Sequence, residues 1–92
     1  MSSPLSRQYL IVNKRGLHAR ASAKFVQMVE KYDARVTVSR DGTSVGGTSI
    51  MGLMMLAAST GCSIDVAAEG PQAVEALDAL EALIANKFGE EA

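Results

Sequence analysis

Asp41-Gly42, set between Arg35-Val36-Thr37-Val38-Ser39 and Thr43-Ser44-Val45, constrains this chain more than any other feature. An Asp-Gly pair flanked by alternating apolar residues is a strong short-range hairpin signal, and strands coupled this way run antiparallel. The other elements fall around that hairpin. Tyr9-Leu10-Ile11-Val12, bounded by Asn13 and Gly16, reads as a strand, and Ser63-Ile64-Asp65-Val66-Ala67 alternates as another. From Ala19 to Tyr32, Ala23, Val26 and Val29 form an apolar helical face flanked by Phe25 and Met28. Arg20, Lys24, Gln27 and Lys31 make the complementary stripe, mostly basic. Ser49 is placed to cap a shorter helix over Ile50–Ala58, and Gly61 ends that segment. Pro71 suits the first position of a last helix, which carries Val74, Leu77, Leu80, Ile84 and Phe88 inward and Glu75, Asp78, Glu81 and Asn86 toward water. The order βαββαβα implies an α+β sandwich with helices on one face of an antiparallel sheet and the other face open.

Ninety-two residues, 48% apolar and 21% charged, suffice for one domain spanning 1–92 and not for an enzyme with a cleft between two lobes. With no Trp, two Phe and two Tyr, the chain lacks an aromatic platform for single-stranded nucleic acid, and no nucleic-acid partner is expected. The net charge of −1 conceals a polarity. Up to Arg40 there are eight basic residues against two acidic ones; from Asp41 onward there is one against eight. Such segregation can steer a charged partner to one face. A single cysteine, Cys62, forbids an internal disulfide and fits a reducing compartment. With no basic residue near it in sequence, Cys62 reads as a half-buried packing residue. The first ten residues lack the pattern of a secretory signal, and the longest apolar run, Ile50–Ala58, is too short to span a membrane. A cytoplasmic protein without membrane insertion is expected.

The one histidine, His18, lies in Lys14-Arg15-Gly16-Leu17-His18-Ala19-Arg20-Ala21-Ser22, at or beside a helix N-cap. The first N–H groups of a helix, here those of Ala19 and Arg20, have no internal partner and favour an anion beyond the helix end. They disfavour a protonated ring, and a neutral imidazole is the better nucleophile. A phosphoryl group on His18 would be held by those N–H groups and by the guanidinium groups of Arg20 and Arg15. Gly16 permits the tight turn that brings the ring over the helix end. The bland alternative is an ordinary, half-exposed cap residue. A metal site lacks further ligands, and a Ser-His-Asp device lacks an elbow motif. In the second helix Leu53, Leu56 and Ala57 share one side, with Leu53 and Leu56 assigned to the core. Met51, Met54 and Met55 fall on the opposite arc, and methionine favours adaptable docking surfaces.

Gly16-Leu17-His18-Ala19-Arg20, followed by an Ala-rich amphipathic helix, and Ser49-Ile50-Met51-Gly52-Leu53-Met54 resemble the HPr family of histidine phosphocarriers of the bacterial phosphoenolpyruvate phosphotransferase system. The resemblance covers nearly the whole chain in element order and spacing. It implies an open-faced β-sandwich, a four-stranded antiparallel sheet with three helices on one face. It further implies a stoichiometric carrier, not a turnover enzyme, without cofactor or metal. His18 would be phosphorylated on Nδ1 by enzyme I, with Arg20 beside it. The group would pass to enzyme IIA proteins, in sugar uptake or in a nitrogen-type regulatory relay. Ser49 matches the serine that an ATP-dependent HPr kinase/phosphorylase modifies in many bacteria. Ile50, Met51 and Met54, extended by Met55, match the apolar patch on which partners dock, with Arg15 and Lys24 as the basic contacts. A monomer is expected. One departure stands out: Ala21 occupies the position after the arginine where the family usually has proline. The alternative is a regulatory module that binds partners through Ser49 and the patch without relaying phosphate.

Overall fold

A computed structural model describes residues 4–90. The chain runs β1 (Leu5–Leu10), α1 (Ala19–Val29), β2 (Arg35–Arg40), β3 (Thr43–Gly46), α2 (Ile50–Met55), β4 (Ser63–Glu69) and α3 (Ala73–Ala85), and ends in a 3-10 turn, Lys87–Gly89. The strands form one four-stranded antiparallel sheet in the order β1-β4-β2-β3. The expected hairpin is present: Arg40 pairs with Thr43, and Asp41 (φ 49°) and Gly42 (φ 81°) both take positive φ between them.

Alternation along the strands sorts the two faces. Val36, Val38, Ile64, Val66 and Ala68 are buried under the helices, while Ser63, Asp65 and Arg35 on the other face are exposed. From α1 come Phe25, Val26 and Val29; from α2 comes Leu53; from α3 come Leu77, Leu80 and Ile84. Tyr9 belongs to the same layer, and its buried hydroxyl donates to the Leu77 carbonyl at 2.8 Å.

Several boundaries and faces differ from the sequence expectation. Regular β1 pairing spans Leu5–Leu10, opposite Ser63–Ala68, because backbone pairing with β4 does not need the apolar run at Tyr9–Val12. Past its end, Ile11 still donates to the Cys62 carbonyl at 2.8 Å and accepts from the Gly61 N–H at 2.9 Å. Helix α2 stops at Met55, and Ala57 turns into the left-handed region (φ 52°), so Ala57 is exposed and Ala58 takes the buried place. Pro71 lies in the turn before α3. The helix starts only at Ala73, because Gln72 is held in the turn: its N–H donates to the Asp33 carbonyl at 3.0 Å and its Oε1 accepts from the Asp33 N–H at 2.7 Å.

Val74 does not face inward; it is 47% exposed, and Ala73 and Ala76 are buried in its stead. With the helix beginning at Ala73, the 3.6-residue repeat through Ala73, Ala76, Leu77, Leu80 and Ile84 turns position 74 about 100° away from the core. Phe88 is buried as expected, but from outside the helix. Lys87, Phe88 and Gly89 all have positive φ (55°, 55° and 78°), which folds the ring back under α1 and α3. Phe88→Ala should therefore cost about 3–5 kcal/mol of unfolding free energy, while Val74→Ala should change it by no more than about 0.5 kcal/mol. Equal losses in denaturant melts would place both side chains in the core.

Candidate functional site

The loop Asn13–His18 carries the chain from β1 to α1, and its course is set by one close approach. Leu17 donates its N–H to the Ala58 carbonyl at 2.9 Å, and Gly16, at φ 65°, passes directly beneath that residue. A Cβ at Gly16 would lie 2.4 Å from the Ala58 carbonyl oxygen, so the crossing admits no side chain. His18 follows as the N-cap of α1, with extended φ/ψ (−73°, −179°) and no side-chain cap bond. The first bond of the helix runs from Ser22 N–H to the His18 carbonyl at 2.9 Å. The N–H groups of Ala19, Arg20 and Ala21 thus precede the first helical bond and stand at the positive end of an 11-residue helix. Ala21 supplies one more N–H there than a proline would, and its methyl is fully buried.

Glu90, a residue that sequence reasoning left aside, lies against His18. Its Oε2 is 2.5 Å from His18 Nε2, and both side chains are 16% exposed. An ionised carboxylate only accepts, so Nε2 donates. Nδ1 makes no hydrogen bond to any described residue. Glu90 is placed by the C-terminal turn. Lys24 Nζ donates to the Phe88 carbonyl at 2.6 Å, and Asn13 Nδ2 bridges the Gly16 carbonyl at 2.9 Å and Glu90 Oε1 at 3.2 Å. Asn13 is completely buried, and its Oδ1 has no hydrogen-bond partner among the described residues. Nothing local signals this cluster. The basic residue at 24 and the buried Phe88 become informative only once α1 and the chain end are adjacent.

The remaining residues divide by exposure. Arg15 and Arg20 are exposed and form no ion pair with any described residue. Lys24 is half-buried with its ammonium engaged on the Phe88 carbonyl, which removes it from the open basic stripe. On α2, Leu53 and Leu56 are buried while Ile50, Met51, Met54 and Met55 are exposed, Met51 and Met55 by 69% and 75%. Ser49 caps α2: its Oγ accepts from the Gly52 N–H at 3.0 Å. Gly52 is needed at this point, since a Cβ would meet Val45 at 2.9 Å. Cys62 is half-buried as expected, but a cation does lie beside it in space. Ser59 Oγ is 3.5 Å and the Arg40 guanidinium 3.3 Å from its sulfur, and they lower its pKa, Ser59 more than Arg40. Two shallow grooves, of about 180 and 190 Å³, are lined by other residues, and neither includes His18. No described helix is long and apolar enough to cross a membrane.

The His18 hydrogen bond holds the Glu90 carboxyl below its ordinary value, with Asn13 and the charges of His18 and Arg15 adding to the effect and partial desolvation opposing it. A carboxyl depressed on folding stabilises the fold above the unfolded-state value and loses that contribution as pH falls through the folded-state value. Wild type should therefore be more stable than Glu90→Gln near neutral pH, and the two should converge in acid. A gap in denaturant-melt stability that stays constant through the acid range would contradict this.

The family model for the PTS HPr component phosphorylation site matches residues 5–86. A phosphocarrier protein HPr from Cupriavidus necator is 52% identical over 86 residues, covering 94% of this chain and 97% of that one. Among solved structures, HPr from Thermoanaerobacter tengcongensis superposes with a TM-score of 0.90 at 43% identity, covering 96% of this chain and 99% of the other. A dimer of HPr from the same organism superposes with a TM-score of 0.75 at 42% identity, covering 98% and 100%. Sequence and fold agree over almost the whole length, and the chain belongs to the HPr family, the phosphocarrier proteins of the phosphotransferase system, which carry a phosphoryl group without being turnover catalysts.

Proposed function

We propose that His18 accepts a phosphoryl group on Nδ1 from enzyme I and delivers it to enzyme IIA proteins, in sugar uptake or in a nitrogen-type regulatory relay. The observation that carries this reading is the division of labour on the ring. Nε2 is engaged by Glu90, and Nδ1 is left without a described partner at the start of α1. A phosphoryl group there would meet the N–H groups of Ala19 and Arg20 and the exposed guanidinium groups of Arg20 and Arg15. In the transfer the Nδ1 lone pair forms the N–P bond while the bond from phosphorus to the donor breaks, its electron pair leaving with the donor. Delivery reverses this at the acceptor, and the imidazole departs neutral. The chain's part is positioning and charge stabilisation. The regulatory module that binds without relaying is the weaker alternative, because a relay-free protein has no use for His18 and Arg20 at a helix N-terminus.

Ile50, Met51, Met54 and Met55 form the docking patch, with Arg15 contributing charge and Lys24 contributing through the turn it holds. Ser49 is the regulatory input for an HPr kinase/phosphorylase. Its hydroxyl is exposed, and a phosphoserine there adds about −1.5 to −2 charge beside the patch. The carrier is taken to work as a monomer in the cytoplasm.

Incubation with enzyme I and labelled phosphoenolpyruvate tests the central step. Wild type should take up an acid-labile, base-stable label, His18→Ala should take up none while remaining folded, and Arg20→Ala should slow transfer by no more than about a hundredfold, because the helix N–H groups remain. An unlabelled wild type beside a competent enzyme I would sink the reading. Ser49→Asp should slow transfer by about tenfold, since an acidic partner surface drawn to the basic residues would meet a like charge. Its stability should stay within about 0.5 kcal/mol of wild type, because Asp caps a helix as well as Ser. Transfer at the wild-type rate would reduce Ser49 to a cap. Met51→Asp should weaken enzyme I binding with little change in melting temperature; a large drop in melting temperature would place Met51 in the core.

A further inference from the structure

Arg40, the last residue of β2, reaches from the sheet to the end of α2. Its Nη1 donates to the Leu56 carbonyl at 2.9 Å, and its Nη2 donates to Cys62 Sγ at 3.3 Å. Leu56 is the C-cap of α2, and no described backbone N–H reaches its carbonyl, so the guanidinium takes up an acceptor that the helix end leaves over. At Ala57 the chain enters the left-handed region (φ 52°), a conformation that a residue with a side chain holds only where contacts compel it. The turn that follows closes at Cys62, the second point that Arg40 holds. The guanidinium thus spans turn 57–61 from one end to the other. That turn grips the loop carrying His18 at both of the loop's ends. Where the loop begins, Gly61 N–H donates to the Ile11 carbonyl at 2.9 Å and the Cys62 carbonyl accepts from Ile11 N–H at 2.8 Å. Where it ends, the Ala58 carbonyl accepts from Leu17 N–H at 2.9 Å, one residue before His18.

We infer that Arg40 is a positioning residue for the phosphoryl transfer: by stapling the two ends of turn 57–61 it fixes the Ala58 carbonyl, and through the Leu17 N–H it fixes the place of His18 at the start of α1. The inference rests on the phosphoryl-acceptor reading of His18. Arg40 makes no hydrogen bond to the ring and acts only through the turn. A guanidinium suits this task, because its planar fork sends separate N–H groups to two acceptors at once, whereas an ammonium is a single point. The side chain is 26% exposed, so water competes little for its bonds. Asp41, 3.6 Å from Nη1, is 81% exposed and adds little to them. The contact between the turn and the loop has no slack. A Cβ on Gly16 would stand 2.4 Å from the Ala58 carbonyl oxygen, so a displacement of Ala58 passes directly into the backbone before His18. Attack on phosphorus depends on where that ring stands. Docking makes less demand on Arg40, since Ile50 and Met51 lie at the other end of α2, which Ser49 caps.

The experiment compares wild type, Arg40→Met and Arg40→Lys in two measurements. The first is native-state hydrogen exchange of the Leu17 amide, read against the amides of β4, which open only with the whole fold. The second is phosphoryl uptake from enzyme I and phosphoenolpyruvate, with kcat and KM for this chain determined separately. Methionine keeps the apolar stem and removes every donor. In Arg40→Met the Leu17 amide should exchange about tenfold faster relative to β4, because the turn that holds it opens locally. The kcat should fall by roughly tenfold, part of the hundredfold that a misplacement of about 1 Å can cost. The KM should change by less than about twofold, the mark of a residue that does not serve binding. Lysine reaches one of the two anchors, so Arg40→Lys should recover part of both losses. A residue that merely supports the fold would loosen Leu17 and β4 alike and leave kcat as it is; either result in Arg40→Met overturns the inference. A wild type that takes up no phosphoryl group fails the acceptor reading instead, and the exchange measurement still decides whether Arg40 holds the loop.

Discussion

Everything in this fold depends on β4 lying between β1 and β2. Its backbone is paired on both edges, to Leu5–Leu10 on one side and to Arg35–Ser39 on the other. A strand bonded on both sides joins segments distant in the chain, and here it unites the N-terminal strand with the hairpin. It also fixes the direction of travel. Because β1 ends where β4 begins, Ile11 pairs with Gly61 and Cys62, and the loop leaving β1 emerges beside the loop leaving α2. That adjacency makes the Leu17–Ala58 bond available, and with it the start of α1 is held against the end of α2. The histidine and the methionine patch share one end of the molecule for this reason, although more than thirty residues separate them.

At that end two kinds of fixed electrostatics meet. The start of α1 offers N–H groups, and Arg15 and Arg20 near it form no ion pair with any described residue; all are suited to an anion. The C-terminal turn supplies a carboxylate, that of Glu90. It lies on Nε2, and Nδ1 makes no hydrogen bond to any described residue.

Local physics made most of this legible in the sequence. Asp41-Gly42 with its alternating flanks specified the hairpin, the 3.6-residue pattern of Val26 and Val29 specified the buried side of α1, and Ser49 specified the start of α2. Leu53 and Leu56 fell inside and Met51, Met54 and Met55 outside, as spacing on a short helix requires. His18 could be found because it is the only histidine and stands beside Gly16 and Arg20. Each of these readings depends on residues within a few positions of one another, where backbone geometry alone relates them.

What local pattern missed depends on where a helix starts and where the chain goes after it stops. Val74 lies about 100° round α3 from Ala73, at the edge of the arc that Leu77, Leu80 and Ile84 define, and the packing gives the buried places there to Ala73 and Ala76; Gln72 is held in the preceding turn by Asp33, thirty-nine positions away. The cation beside Cys62, Arg40, is distant in sequence and near only across the sheet. Lys24 belongs by spacing to the basic stripe of α1, yet its ammonium is committed to the Phe88 carbonyl. No local pattern points to Glu90. The sequence by itself determined the element order, the two faces of the sheet and the histidine at a helix start, because short-range sterics and hydrophobic periodicity decide those. Only the tertiary structure decided which charges meet, because a hydrogen bond between residues 18 and 90 exists only when the packed core, through Phe88, brings the chain end back over α1.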